Sequence, residues 1–130
     1  MYTEASSSPP GGLPPADVPQ FVLLTYDDAV QAEGLELMAP TLEGLNPNGC
    51  PRAATFFVNT DYNDYWLTQQ LYAAGHEIAD HSVTHREPQA WWSTAPEQEY
   101  AEEIGGQRQN LHKKSGIPLD AIRGFRTPFL

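Results

Sequence analysis

Phe21-Val22-Leu23-Leu24-Thr25-Tyr26-Asp27-Asp28 sets a continuous, mostly apolar run against two carboxylates. The run from Phe21 to Tyr26 shows no polar alternation. That pattern fits a strand buried on both faces, as in parallel sheets, better than a half-buried edge strand. It stops at the aspartate pair. Successive strand residues point to opposite faces, so Asp27 and Asp28 can serve one site only if the strand ends there and the chain turns. Alternatively, one of them caps the helix that follows.

C-terminal to the pair, Leu35, Met38, Leu42 and Leu45 recur at spacings of three and four, which predicts a helix over 31–45. Asn46-Pro47-Asn48-Gly49-Cys50-Pro51 is a turn cluster. Ala53 to Val58 predicts a second buried strand, and Tyr65 to Ala74 a second helix ended by Gly75. A short third strand is expected at His76–Ala79. A helix from about Pro96 to Lys114 follows, with glutamates early and Lys113-Lys114 late, matching the helix dipole. Ala121 to Arg126 is the expected fourth strand. On the other side of the opening stretch, residues 1–19 are rich in Ser, Pro and Gly and are expected to be a flexible lead-in. The domain is expected to occupy 20–130.

Strands alternating with helices argue for an α/β architecture of parallel strands with right-handed crossovers. In such sheets chemistry gathers beyond the carboxyl ends of the strands. Asp27-Asp28, Asn59-Thr60-Asp61, His81 to His85 and Arg126 all fall there.

Composition narrows the function classes. The chain of 130 residues has the length of one domain. It carries 17 acidic against 7 basic residues, a formal net charge of −10, which disfavours phosphate backbones and so nucleic acid. No apolar run approaches the roughly 20 residues of a membrane helix, so no membrane insertion is expected. The N-terminal residues show neither a basic start nor an apolar stretch, so no signal peptide is visible. The one cysteine, Cys50, is either a small buried residue or bonded to a partner outside the chain.

His81 and His85 are four positions apart, a spacing that suits two metal ligands facing one way. Zinc accepts imidazole and carboxylate ligands, and a catalytic site keeps a position open for water. One of Asp27 or Asp28 would complete a His₂Asp set and leave the other free as a base.

Thr25-Tyr26-Asp27-Asp28, His81-Ser82-Val83-Thr84-His85 and Arg126-Thr127-Pro128-Phe129 resemble the first three motifs of the polysaccharide deacetylase family, the NodB-like esterases of carbohydrate esterase family 4. The flanks Leu23 to Val30, Asn46 to Pro51, Ala54 to Val58 and Gly75 to Ile78 are similar to animal-type chitin deacetylases. The resemblance runs from about Pro19 to Leu130. It implies a distorted (β/α) barrel of which this chain is the N-terminal half. It implies Asp27 as general base and Asp28, His81 and His85 as ligands of zinc or another divalent transition metal such as cobalt. Arg126 would orient and charge-balance Asp27, and a backbone N–H near Phe129 would stabilise the oxyanion. The substrate would be chitin or a chito-oligosaccharide, hydrolysed to acetate and a glucosamine unit, in a secreted, extracellular setting. Alternatives are another acetylated glycan, such as peptidoglycan or xylan, or an inactive metal- or glycan-binding relative. The Cys50 segment resembles one that is disulfide-bonded in the animal enzymes.

Three departures accompany the resemblance. Tyr26 replaces a usual Phe, and Asp80 stands where a neutral residue is commoner; its carboxylate either tunes the metal or faces away. The later motifs, with a second aspartate and the general-acid histidine, do not occur. His76 belongs to a strand and His112 to a helix expected to be exposed. Trp91-Trp92 is expected to anchor its loop, and Glu97 to Glu103 to form a solvated helix face.

Overall fold

The computed structural model describes residues 8–19 and 21–129. Residues 1–7 of the lead-in, Gln20 at the expected domain start and Leu130 lie outside the described residues. Within 8–19 there are two short 3-10 turns, Pro10–Gly12 and Pro15–Asp17.

Three parallel strands, β1 (Thr25–Asp27), β2 (Thr55–Val58) and β3 (Glu77–Asp80), lie in sequential order. Helices α1 (Ala32–Leu42) and α2 (Tyr65–Ala73) connect them, and α3 (Glu97–Ser115) follows β3. This is the predicted α/β alternation. Tyr26, Phe56 and Ile78 share one register row, and Asp27, Phe57 and Ala79 the next. Phe56, Val58 and Ile78 are buried and pack with Leu71, Leu111, Ile117 and Ile122 into the core. Thr55 and Phe57, on the opposite face of β2, are only half-buried. The sheet is therefore covered on one face by its helices, not on both.

Several helix ends follow from local chemistry. Asp64 caps α2 by accepting the N–H groups of Trp66 and Leu67. Gly75 follows its C-cap with φ of 95°, a conformation glycine adopts without steric cost. Acidic Glu97 and Glu99 begin α3, and Lys113 and Lys114 end it, as the dipole favours.

Two strand expectations are corrected. Phe21, Val22 and Leu23 are not strand residues; they are 83%, 74% and 89% exposed. A run becomes a buried strand only when partners flank it, and β1 is an edge of this sheet. The expected strand at Ala121–Arg126 reduces to one bridge, Asp80 to Phe125, held by Asp80 N–H to Gly124 O and Arg126 N–H to Asp80 O. A 3-10 turn at Leu119–Ala121 occupies its start. Gly124 runs beside β3 so closely that an added Cβ would lie 3.1 Å from the Ala79 Cβ. His112 is also half-buried rather than exposed, with Nδ1 2.8 Å from the Ile117 carbonyl. Cys50 is exposed, so it is not a buried apolar residue.

Candidate metal centre and active site

The carboxyl ends of the strands bring the expected residues together. Asp27 ends β1, and Asp28 follows with φ of 75°. This left-handed residue is the turn that the aspartate pair requires to serve one site. Asp28 Oδ1 lies 3.7 Å from His81 Nε2 and 3.6 Å from His85 Nε2. Ligand atoms of Asp28, His81 and His85 all fall within 4.8 Å of one another. Ligands about 2.0–2.1 Å from a tetrahedral metal stand roughly 3.4 Å apart. Two imidazoles and one carboxylate at these separations fit a small divalent cation.

Hydrogen bonding prepares one imidazole for that role. His81 Nδ1 is 2.9 Å from the backbone carbonyl of Arg126. A carbonyl only accepts, so Nδ1 carries the proton and Nε2 presents its lone pair toward Asp28. His85 packs edge-to-face on His81 and on Phe129, with ring centroids 5.1 and 4.8 Å apart. Among the described residues, the non-glycine positions with positive φ include Asp28, Ser82, His85 and Phe129, all at this rim. Such conformations persist where surrounding contacts over-determine them, and they cluster at functional sites.

Arg126 joins the site to the base candidate. Its Nη1 donates to Asp27 Oδ1 at 2.6 Å, and both Nη atoms reach Thr25 Oγ1 at 3.2 Å. Its guanidinium lies 4.0 Å from the centre of the Phe57 ring. Aromatic face, hydroxyl and carboxylate thus fix the cation on the half-covered face of the sheet, where Asp27 also points.

Asp80 belongs to the other face. It pairs in register with Val58, on the helix side, and is buried. Its Oδ1 accepts the Ser82 N–H at 2.7 Å, and Oδ2 has no protein partner. Burial pushes its carboxyl up to about 7, opposed by the Ser82 hydrogen bond. The carboxylate faces away from the cation site and supports the histidine loop from behind.

Two other expectations, for the Trp pair and for Glu103, resolve simply. Trp92 is buried and donates Nε1–H to Arg86 O at 2.9 Å, so the Trp pair does anchor its loop. Glu77 accepts the Thr55 hydroxyl at 2.6 Å, at the far end of the strands. Glu103, expected on a solvated face, is 8% exposed. Four-residue spacing places Glu103, Gln107, Leu111 and Ser115 on one buried stripe of α3. Gln107 donates to Val58 O at 2.7 Å and accepts the Thr60 hydroxyl. The signal for this stripe was present in the sequence as an i, i+4 row, but its polar members disguised it as surface.

The sequence pattern of the family described as polysaccharide deacetylase matches residues 16–130. The chain belongs to this family. It is 44% identical over 127 residues to chitin deacetylase 8 of Bombyx mori, covering 97% of this chain and 33% of that protein. It is 40% identical over 123 residues to chitin deacetylase 1 of the same organism, covering 93% of this chain and 23% of that protein. The chain thus spans a third or less of the length of these relatives. Among solved structures, it superposes on a family 4 carbohydrate esterase from Streptomyces lividans with a TM-score of 0.60 and 23% identity, covering 84% of this chain and 51% of that one. The peptidoglycan deacetylase PdaC from Bacillus subtilis gives a TM-score of 0.62 at 21% identity, covering 82% and 48%. These likenesses establish the fold, that of the family 4 carbohydrate esterases. No helix among the described residues is long and apolar enough to cross a membrane.

Proposed function

We propose that residues 20–130 contribute the metal-binding part of the catalytic domain of a polysaccharide de-N-acetylase acting on chitin or chito-oligosaccharides. The observation that carries this is the juxtaposition, on one rim, of the Asp28–His81–His85 ligand set with the Asp27–Arg126 ion pair. Asp28, His81 and His85 would hold zinc or a similar divalent metal such as cobalt. When bound, that metal supplies Lewis-acid polarisation of the acetamido carbonyl and eases deprotonation of water.

The chain's own residues do the rest. Asp27 accepts the proton of the water that attacks the acetamido carbon. Arg126 aims the Asp27 carboxylate, since its guanidinium is itself held by Thr25 and Phe57. The backbone N–H of Phe129 is assigned to the developing oxyanion. Cleavage of the amide C–N bond, with the proton taken from water passing on to the leaving nitrogen, releases acetate and leaves a free amine on the sugar. The substrate preference rests on the greater identity to chitin deacetylases than to the structural neighbours that act on other glycans. A secreted location goes with that substrate.

In the full-length protein, Asp27→Asn is expected to lower acetate release from chito-oligosaccharides by roughly 10²-fold or more while leaving bound zinc unchanged. Unchanged turnover would remove Asp27 as the base. Release of acetate from xylan or peptidoglycan alone would overturn the chitin assignment, and chitin binding with no acetate release would make the protein an inactive glycan binder.

A further inference from the structure

We propose that Glu103 is a positioning residue for the His81–His85 ligand pair, holding from α3 the loop that separates the two imidazoles. The inference rests on the metal centre proposed above. Every backbone N–H from His81 to His85 has a partner. His81 donates to Val58 O at 3.1 Å, Ser82 to Asp80 Oδ1 at 2.7 Å and His85 to Ser82 Oγ at 3.1 Å. The two between them both go to Glu103. Val83 donates to its backbone carbonyl at 3.1 Å, and Thr84 to its Oε2 at 2.9 Å. The Thr84 hydroxyl occupies Oε1 at 2.8 Å.

One residue therefore grips the middle of the loop at three points. The grip is close: a Cβ added to Gly106, one turn further along α3, would meet the Val83 methyl at 3.1 Å. It also requires a side chain of this length that ends in an acceptor oxygen. An ionised carboxylate accepts at both oxygens, whereas a shorter or apolar side chain leaves the Thr84 N–H without its acceptor. Ser82 and His85 sit at φ of 72° and 48°. Without external restraint these residues relax toward commoner conformations, and the two Nε2 atoms lose their shared aim at Asp28. Glutamine keeps one acceptor for the N–H, and its amide can donate to a reoriented hydroxyl, so it retains most of the grip.

The test is cobalt and zinc binding by the chain, read through the visible absorption of bound Co(II) and by zinc competition. Glu103→Ala is expected to weaken Co(II) binding about tenfold or more, the scale of supporting-residue losses at metal sites, and to alter the absorption band. Glu103→Gln should restore most of the affinity and the band. Glu102→Ala, at the exposed neighbouring position, should change neither. Wild-type affinity and spectrum in Glu103→Ala would overturn the proposal and leave the metal centre standing. Failure of the wild-type chain to bind either metal would remove the centre and this role with it. Should Glu103→Ala prove unfolded by circular dichroism, Thr84→Val removes only the hydroxyl contact and is expected to perturb the Co(II) band. A wild-type band in Thr84→Val would then count against positioning by Glu103.

Discussion

At the rim of the sheet, the loop from His81 to His85 has a partner for each backbone N–H and two histidine rings packed on neighbours. At the foot, Phe21, Val22 and Leu23 stand almost wholly exposed and belong to no strand. The rim loop is polar and the foot is among the most apolar stretches of the chain, so apolarity is not what orders them. The difference lies in what each can bind to. The rim loop is reached by α3, by the end of β2 and by the Arg126 segment, each presenting carbonyl or carboxylate acceptors. The foot run precedes an edge strand, and apolar side chains without neighbours gain nothing from their own composition.

Substitutions can break or sharpen this contrast. The largest effect is expected at the rim: His81→Ala or Asp28→Ala should abolish specific zinc binding, at least about 100-fold in affinity, since losing a ligand exceeds the loss of a supporting contact. Isothermal titration checks this, and retained binding would break the assigned ligand set. Beneath the rim, Ile78 is buried in β3. Ile78→Ala should cost about 2–5 kcal/mol by denaturant unfolding, as buried aliphatic truncations do.

A smaller effect is expected near the foot, where His76 packs against Phe56 and accepts the Ala54 N–H on Nδ1. Burial lowers its pKa from the usual 6.5. The unfolded state then takes up the proton first, so the His76 contribution is present above about pH 6.5 and is lost as pH falls toward its lower folded value. In His76→Gln, the fall in denaturation midpoint between pH 7 and 5 should be shallower; an identical slope would remove this role. The smallest effect belongs to the foot run. Leu23→Ser should change stability by less than about 0.5 kcal/mol, as exposed substitutions do. A cost comparable to Ile78→Ala would show that the run is buried after all and dissolve the contrast.

Much of the site was legible because its residues are unusual where they stand. Two adjacent aspartates closing an apolar run, a histidine pair at a spacing of four and an arginine after a fourth apolar segment needed no contacts to be noticed. The supporting residues were hidden for the opposite reason. Glu103 is a glutamate among glutamates, set apart from exposed Glu97 and Glu102 only by its i, i+4 row with Gln107, Leu111 and Ser115, whose polar members masked it. Asp80 had two open roles, and only the register of β3 against β2 chose between them.

Sequence alone was enough for the alternation of strands and helices, because hydrophobic periodicity and capping chemistry act within a few residues. It was enough, too, for the polar residues that gather at the strand ends. Tertiary structure alone decided which apolar run entered the ladder, which face Asp80 took, and that Glu103 and Gln107 turn inward. Those outcomes depend on partners far along the chain, and a hydrogen bond or a strand neighbour exists only once folding has brought the second group within reach.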